Sequence, residues 1–211
     1  MGDEKGETPV HSIKITLLGS TGVGKTCIIK RYTEGSFDEN SPSTTGGSYS
    51  SKIITIDNLN LSLDLWDTAG QEKFRSLGRH FYKNAYIVCL VYDITNNDSF
   101  IDLKEKWYND LKTFGEKYTV LAVVGSKSDC YESETVSEEE AREFAKSIGA
   151  IFMLTSAKNG NNIDVLFETL TRKYLGPDFF KKVQEMKDAK GEIKKVTKKK
   201  AKEKQNKTKC C

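Results

Sequence analysis

Apolar residues are concentrated in five short runs, and these runs predict the strands of a β-sheet. The runs are SIKITLLG, LNLSLDLW, AYIVCLVYD, TVLAVVGS and AIFML. Strands that are apolar at almost every position are typical of a parallel sheet buried on both faces. The segments between them are long enough for helices and end in turn signals at Ser36, Gly115, Gly149 and Gly176-Pro177. This alternation predicts an α/β fold in which helices cover both faces of a mostly parallel sheet.

One region interrupts the alternation and predicts an antiparallel edge strand. The segments SKIITI and LNLSLDLW flank Asp57-Asn58, which leaves room for a tight turn but not for a helix. With this hairpin the predicted sheet has six strands. Just before it, residues 41–51 read SPSTTGGSYSS, with little to bury. That composition predicts a mobile loop.

Length, composition and charge indicate one packed domain with a tail. A chain of 211 residues with 37% hydrophobic content is sufficient for a single core. We expect residues 1–11 to form a disordered arm, residues 12–175 the domain and residues 176–211 a lysine-rich tail. The tail has thirteen lysines against five acidic residues and carries +8, while the remainder carries −5, which together give the total of +3.

The five cysteines stand at positions 27, 89, 130, 210 and 211, in no spacing typical of a metal site. The longest apolar run is far shorter than the roughly 20 residues that a membrane span requires. We therefore expect a reducing, cytosolic compartment. We also expect Cys27, Cys89 and Cys130 to be unreactive, with the first two buried.

The segment GSTGVGKT, Gly19 to Thr26, fits the phosphate-binding pattern G-x-x-x-x-G-K-[ST] between a strand and a helix. Its glycines let successive N–H groups point at an anion, and the helix N-terminus adds its dipole. Lys25 would reach the β- and γ-phosphates, and the Thr26 hydroxyl would ligate Mg²⁺. An ordinary glycine-rich turn is the alternative. The residues expected to contact the nucleotide here are Ser20, Thr21, Gly22, Val23, Gly24, Lys25, Thr26 and Cys27.

A second motif, WDTAGQE from Trp66 to Glu72, ends the next core strand. Asp67 can hold a water of the Mg²⁺ shell, and Gly70 can offer its N–H to a terminal phosphate. Alone, Asp-Thr-Ala-Gly is also an ordinary strand-to-helix turn. Its position after GSTGVGKT favours a site for a nucleoside triphosphate.

Together with KFRSL, FYKNA and LVYDIT, these motifs resemble the Rab-type small GTPases of the Ras superfamily over roughly Ser12 to Leu175 and the last two cysteines. The resemblance implies a P-loop NTPase fold, with a six-stranded, mostly parallel sheet flanked by about five helices. It implies GTP and GDP as ligands, Mg²⁺ as the metal, and slow GTP hydrolysis. In phosphoryl transfer an arginine, from the same chain or from an activating protein, stabilises the charge of the transition state. No arginine of this chain occupies an evident position for that role, so we expect an activating protein to accelerate turnover.

The resemblance also assigns roles to residues of the two switch loops. Thr44 would touch the γ-phosphate, with the neighbouring Thr45 as the alternative. Gln71 would orient the attacking water, a role that needs an amide able to donate and accept. Phe37 would stack on guanine, or it packs at a helix exit. The implied Mg²⁺ ligands are Thr26, Thr44 and Asp67.

The base-reading loop of the family is Asn-Lys-x-Asp, whereas this chain has Ser126-Lys127-Ser128-Asp129. Asp129 would accept from guanine N1–H and the exocyclic amine, which adenine does not offer. Lys127 would lay its alkyl stem along the base. The family's asparagine bonds both the phosphate-binding loop, here Gly19 to Thr26, and the base N7. The shorter Ser126 either reaches one of these partners or leaves that partner bonded to water. Losing one such bond corresponds to about a 2- to 150-fold lower affinity.

Two further loops match the family, one of them with a departure. Ser156-Ala157-Lys158, after AIFML, matches the loop whose backbone N–H meets the guanine carbonyl oxygen. In the effector loop, Thr45 stands where relatives usually have isoleucine, so an apolar anchor for partners is absent. Tyr49, Trp66 and Phe81 match the family's aromatic cluster for effectors, although packing in the core or hairpin explains them equally well.

Cys210-Cys211 at the end of the chain resemble the doubly geranylgeranylated end of Rab proteins, and Thr208 excludes a CaaX signal. Two lipid chains anchor stably, and each nearby lysine adds about 1 kcal/mol on an anionic membrane. The tail lacks arginine and interleaved aromatic residues, which favours a membrane over nucleic acid. We expect a monomer that cycles between the cytosol and the cytoplasmic face of an intracellular membrane. Its expected partners are effectors, an exchange factor, a GTPase-activating protein and a GDP-dissociation inhibitor.

The sequence therefore predicts a membrane-anchored switch that hydrolyses GTP to GDP and regulates vesicle traffic. The alternative is a weakly nucleotide-binding, hydrolysis-deficient Rab-like scaffold, suggested by Ser126 and the altered effector loop. A small-molecule P-loop kinase would need a lid with phosphate-clamping arginines, and residues 96–118 contain no arginine.

Overall fold

A six-stranded, mostly parallel sheet forms the centre of this computed structural model, which describes residues 11–39, 41, 44, 46–57, 59–68, 83–115, 120–177 and 179. The strands are β1 His11–Leu18, β2 Ser48–Ile56, β3 Leu59–Asp67, β4 Ile87–Asp93, β5 Val120–Ser126 and β6 Ile151–Leu154. Their order across the sheet is β2-β3-β1-β4-β5-β6. Only β2 and β3 pair antiparallel, and the other neighbours are parallel. The predicted sheet and its antiparallel edge strand are confirmed.

Five α-helices flank the sheet in the described part of the chain. They are α1 Lys25–Glu34, α2 Asn97–Asp102, α3 Tyr108–Phe114, α4 Glu138–Ser147 and α5, residues 163–177. A π-helical turn, Leu103–Trp107, joins α2 to α3, and a 3₁₀-helix, Ser128–Ser133, follows β5. None of the described helices has both the length and the apolar character needed to cross a membrane.

Local signals explain where these helices begin and end. The side chain of Asn96 accepts from Ser99 N at the start of α2, and Ser137 accepts from Glu140 N at the start of α4. Side-chain oxygens at these positions satisfy N–H groups that have no partner inside the helix. At the end of α1, Gly35 has a left-handed φ of 70° and donates its N–H to Arg31 O. Glycine adopts this conformation without strain.

The core forms where the central strands meet the helices. Alternate residues of β3, beginning with Leu59, are buried, whereas every residue of β4 and β5 is buried. One cluster joins these central strands to the helices that follow them. It includes Tyr92, Phe100, Trp107, Leu111 and Ala141.

Three boundaries differ from the sequence-based expectation. Strand β1 begins at His11, which was expected to belong to the disordered arm. Strand β2 begins at Ser48, inside the segment predicted to be a mobile loop, because its backbone pairs with β3 from Ser48 opposite Asp67 onward. The helix over residues 163–177 continues through the predicted stop, although Gly176 within it has a left-handed φ of 67°.

The chain divides into two units, Met1–Tyr174 and Leu175–Cys211. The sheet belongs to the first unit. Of the second unit the structure describes residues 175–177 and 179, all of them helical. The predicted tail beyond them, and residues 1–10 of the predicted arm, lie outside the described residues.

The parallel arrangement places the candidate residues at one edge of the sheet. Strands β1, β3, β4, β5 and β6 all run in the same direction, so their carboxyl ends share that edge. The phosphate-binding loop follows β1, Asp67 ends β3, Ser126 ends β5, and Ser156 lies just after β6. Ligands of open α/β sheets bind at this edge.

Candidate functional site

The loop between β1 and α1 has the backbone conformation of an anion-binding loop. Gly19, Gly22 and Gly24 have φ values of 154°, 79° and 91°. A Cβ on Gly19 would lie 2.2 Å from the Val91 carbonyl oxygen, which is backbone and cannot move aside cheaply. Gly24 precedes α1 and provides no side-chain cap for the helix. The first N–H groups of α1 therefore have no capping side chain and can bind an anion.

Lys25 lies inside this loop with its side chain directed back along it. Its Nζ donates to Gly19 O at 2.7 Å and to Ser20 O at 2.9 Å, and the residue is only 5% exposed. Burial lowers the pKa of Lys25 to about 8, an effect that the negative charge of Asp67 partly opposes. A phosphate group beside the ammonium would favour its charged form.

Three oxygen-bearing side chains converge beside Lys25. Thr26 Oγ1 lies 2.7 Å from Thr44 Oγ1 and donates to Asp67 Oδ2 at 2.5 Å, and Thr44 Oγ1 lies 3.3 Å from the same carboxylate oxygen. Burial raises the pKa of Asp67, while the hydrogen bond from Thr26 and the charge of Lys25 oppose the rise. The predicted metal ligands are thus neighbours in space.

These side chains fit a magnesium ion. Hydroxyl and carboxylate oxygens are the ligands that Mg²⁺ prefers. The second carboxylate oxygen, Asp67 Oδ1, is buried and has no hydrogen-bond partner among the described residues. Buried carboxylate oxygens normally have a partner, and a cation would supply it. Thr45, the alternative to Thr44, lies outside the described residues.

Ser126 ties the end of β5 to the phosphate-binding loop. The residue is 2% exposed, and its Oγ lies 2.6 Å from Val23 O and 2.8 Å from Tyr92 O. A hydroxyl has one proton, so it donates to one of these carbonyls at a time. The serine therefore makes the link to the phosphate-binding loop that the family assigns to asparagine.

Lys127 is anchored by a residue that the sequence analysis missed. Its Nζ lies 2.6 Å from Oδ2 of Asp93, a buried carboxylate at the end of β4. The other oxygen, Asp93 Oδ1, accepts from the N–H and hydroxyl of Thr95. Lys127 also has a left-handed φ of 60°, which is uncommon for a residue other than glycine. The ion pair holds the lysine side chain against the end of β4.

Asp129 is held by the loop after β6. Ser156, which is fully buried, donates its hydroxyl to Asp129 Oδ1 at 2.5 Å, and Cys130 Sγ lies 3.5 Å from Oδ2. Burial would raise the pKa of Asp129, but hydrogen bonds from Ser156, its own backbone and Cys130 outweigh that effect and lower it. Asp129 is therefore an ionised acceptor at neutral pH. The sequence predicts a role only for the backbone of this loop.

A cavity of about 370 Å³ brings most of the predicted residues together. The predicted residues that line it are Thr21, Gly22, Gly24, Lys25, Thr26, Cys27, Phe37, Thr44, Ser126, Lys127, Asp129, Ala157 and Lys158. Lining residues that the sequence analysis missed are Ile28, Asp38, Glu39, Ser41, Thr68 and Cys130. Gly70, Gln71, Phe81, Cys210 and Cys211 lie outside the described residues.

Ser20, one of the predicted nucleotide contacts, has its side chain on the far side of the loop. Its hydroxyl donates to Asp102 Oδ2 at 3.1 Å and accepts from Trp107 Nε1 at 3.3 Å. The side chain therefore fixes the loop to the π-helical turn, and only the backbone of Ser20 can face a phosphate. The side chain of Val23 is likewise buried in the protein.

The cysteines differ in part from the expectation. Cys89 is buried, as predicted, whereas Cys27 is only partly buried and Cys130 is exposed. Burial raises the pKa of Cys89 to about 12, and burial is also the main reason that the pKa of Cys27 is raised. The thiol of Cys27 is therefore protonated at neutral pH even though it lines the cavity.

Two aromatic residues of the predicted effector cluster lie together on the surface of the hairpin. Tyr49 and Trp66 face each other across β2 and β3, with ring centroids 5.3 Å apart. Tyr49 is 54% exposed and donates its hydroxyl to Asp64 Oδ1 at 3.1 Å. The exposure of Tyr49 excludes the alternative that it is a core residue.

Comparisons with known proteins agree with this geometry. The Ras family model matches residues 14–176. The sequence is 42% identical to mouse Ras-related protein Rab-31 over 170 residues, which cover 80% of this chain and 87% of that protein. It is 40% identical to human Ras-related protein Rab-22A over 169 residues, with the same two coverages. It is 37% identical to rat Ras-related protein Rab-26 over 163 residues, 77% of this chain and 63% of that protein.

Proposed function

Because the chain belongs to the Ras family, as a Rab-type small GTPase, we propose that it is a membrane-anchored switch that hydrolyses GTP to GDP and regulates vesicle traffic. Membership of this family implies binding of a guanine nucleotide and Mg²⁺. The observation that supports the proposal best is the single cavity lined by the phosphate-binding loop, by Thr26 and Thr44, and by Asp129.

The phosphate end of the cavity supplies positive charge and oxygen ligands. Lys25 would exchange its bonds to the Gly19 and Ser20 carbonyls for the β- and γ-phosphates, with N–H groups of the loop as further donors. Thr26, Thr44 and Asp67 would hold Mg²⁺, directly or through water. When bound, the ion neutralises charge on the β- and γ-phosphate oxygens.

The base end would select guanine. Asp129 would accept from N1–H and the exocyclic amine, and its lowered pKa keeps both carboxylate oxygens available as acceptors. Backbone N–H groups of Ala157 and Lys158, which line the cavity, would meet the guanine carbonyl oxygen. Adenine presents the opposite pattern of donor and acceptor at these positions.

Hydrolysis would depend on Gln71, which orients the attacking water, and on Gly70, whose N–H contacts the γ-phosphate. Both lie outside the described residues, so these roles rest on the WDTAGQE motif. In the described part of the chain no arginine lines the cavity. This supports slow intrinsic turnover that an activating protein accelerates by supplying a positive charge.

Membrane attachment would use Cys210 and Cys211, each carrying a geranylgeranyl chain, together with the lysines of residues 176–211. The protein would then cycle between the cytosol and an intracellular membrane, bound by effectors, an exchange factor, an activating protein and a GDP-dissociation inhibitor. A variant with both cysteines changed to serine should remain in the supernatant when prenylated wild type sediments with vesicles that contain anionic lipids.

The activity is tested by single-turnover GTP hydrolysis with wild type and Gln71→Leu. Both proteins are first shown to hold equal amounts of GTP, so that only the chemical step is compared. We expect the variant to be slower by about a hundredfold, because misplacing a reacting group has an effect of about this size. Equal rates would exclude the role assigned to Gln71. Purified wild type without bound guanine nucleotide, and without affinity for added GDP, would exclude the function itself.

A further inference from the structure

Arg31, near the end of α1, bonds three backbone carbonyl groups with one guanidinium. Its Nε donates to Ala157 O at 2.5 Å, its Nη2 to Lys158 O at 2.8 Å and its Nη1 to Gly35 O at 2.6 Å. Each of these hydrogen bonds is charge-assisted and therefore stronger than one between neutral groups.

The three carbonyls belong to two separate segments beside the cavity. Ala157 and Lys158 line it from the loop after β6, whereas Gly35 begins the segment that contains Phe37, another lining residue. Gly35 also donates its N–H to Arg31 O at 3.1 Å, so the helix end is held from both sides. The Arg31 guanidinium carbon lies 6.0 Å from the centre of the Phe37 ring.

Holding a carbonyl also fixes the N–H on the other side of the same peptide. In a trans peptide the C=O and the following N–H point in opposite directions, and the described chain contains no cis peptide. The bond from Arg31 to Ala157 O therefore directs the Lys158 N–H away from Arg31. Arg31 does not line the cavity, while Lys158 does.

We propose that Arg31 is a positioning residue that orients the backbone N–H of Lys158 toward the guanine carbonyl oxygen and couples the loop of residues 156–158 to residues 35–37. The inference rests on the proposed guanine-nucleotide binding. It adds that displacement of the segment after α1 loosens base recognition, because both share one guanidinium.

Lysine cannot replace arginine in this arrangement. The guanidinium spreads its N–H donors over a planar fork, whereas the three donors of an ammonium diverge from one atom. Arg31→Lys keeps the charge and can satisfy one of the three carbonyls. Arg31→Met keeps the apolar stem near Phe37 and removes every donor. The two variants thus separate the loss of hydrogen bonds from the loss of charge and of packing.

The experiment measures GDP dissociation from the full-length chain and the preference for GDP over 6-thio-GDP. The thio analogue keeps N1–H and the amine that Asp129 reads, and it replaces only the carbonyl oxygen by sulfur. Arg142→Met is the matched control, because Arg142 is exposed and pairs with Glu138 on its own helix, and it does not line the cavity.

We expect GDP to dissociate from Arg31→Met at least about tenfold faster than from wild type. Dissociation from Arg31→Lys should be faster by a smaller factor, and dissociation from Arg142→Met should occur at the wild-type rate. The preference for GDP over 6-thio-GDP should fall in the same order. A lower melting temperature with an unchanged preference would overturn the inference, because it would mean that Arg31 only stabilises the fold. If Arg31→Met does not fold, an unchanged preference in Arg31→Lys overturns it equally. Wild type that binds no GDP would instead overturn the proposed function.

Discussion

Replacing Ser126 by alanine removes the hydroxyl that connects the base-reading loop to the phosphate-binding loop. In the structure this Oγ lies 2.6 Å from Val23 O and 2.8 Å from Tyr92 O. Ser126 is 2% exposed and Val23 is 1% exposed, so water does not readily take the place of the hydroxyl. The two segments would then lose a direct link.

The size of the effect follows from one hydrogen bond in a buried setting. A neutral hydrogen bond contributes about 0.5 to 1.5 kcal/mol net, and a buried carbonyl left without a partner raises the cost to roughly 3 kcal/mol. If this cost falls on the ligand-bound arrangement, GDP affinity decreases about 2- to 150-fold. The part of the cost that falls on the fold lowers the melting temperature by about 2 to 4 °C per kcal/mol in a chain of this length.

Calorimetric titration with GDP and a thermal melt of the same protein separate these two parts. Ser128→Ala is the matched control, because Ser128 lies in the same loop, does not line the cavity and makes no side-chain hydrogen bond with the described residues. We expect the control to match wild type in both measurements.

A Ser126→Ala protein with wild-type GDP affinity and wild-type melting temperature would refute the reasoning, because the contact would then have no energetic role. Ser126→Asn distinguishes the two functions that the sequence left open. If serine already makes the link, asparagine changes GTP affinity by less than about tenfold. A much larger gain would support a weakly binding scaffold.

Three further predictions follow from other contacts. Lys25 has a pKa of about 8 without a ligand, and a bound phosphate raises this pKa. GDP binding should therefore take up about half a proton at pH 8 and about a tenth of a proton at pH 7, and GDP affinity should fall as pH rises. Calorimetry in buffers of different ionisation enthalpy measures the proton uptake. Asp129→Asn should prefer XDP to GDP in competition binding, because an amide donates to the xanthine carbonyl that replaces the amine, with GDP weakened at least about a hundredfold. Gly125→Ala should lower the free energy of unfolding in urea by about 1 to 3 kcal/mol, because the added Cβ would lie 2.5 Å from Leu154 Cδ2 and 2.8 Å from the Tyr92 hydroxyl. Tyr92→Phe alone should have nearly wild-type stability. In the double variant, Tyr92→Phe should reduce the loss caused by Gly125→Ala.

Each of these predictions has an outcome that contradicts it. Proton uptake that stays constant between pH 7 and pH 8.5 would mean that Lys25 does not titrate in this range. Retained preference for GDP in Asp129→Asn would show that another group reads the amine. Tyr92→Phe supports the packing argument only if its stability is close to wild type, because the Tyr92 hydroxyl is buried and has no hydrogen-bond partner among the described residues. A clear loss there would reveal a partner.

Sequence patterns predicted the sheet and the glycine-rich loop after β1 because their signals are local. Buried parallel strands are apolar runs, and the glycines at positions 19, 22 and 24 are required by the backbone conformation of the loop itself. The hairpin was predicted for the same reason, although β2 begins at Ser48, earlier than the composition indicated. Its first residues are strand because the backbone of β3 lies beside them, and side-chain composition does not encode that neighbour.

Contacts with a distant backbone could not be predicted from the sequence. Ser126 bonds a carbonyl 103 positions away, and Arg31 bonds carbonyls 126 and 127 positions away. Any residue type has a carbonyl, so the acceptor leaves no trace in the sequence. Asp93 was missed for a related reason, since only the folded sheet places the end of β4 beside Lys127.

The π-helical turn at Leu103–Trp107 sets limits on how the length of its helix can change. Such a turn contains an extra residue, and removing one residue would let α2 and α3 form a continuous α-helix. A deletion that the turn did not absorb in this way would rotate the following side chains by about 100° relative to those before it. Trp107 would then leave the Ser20 hydroxyl, and Leu111 would leave the core. We therefore expect insertions and deletions here to be tolerated only when the side chains that follow keep their angular positions around the helix axis. The contact of Trp107 with Ser20 in the phosphate-binding loop thus limits the length of this helix.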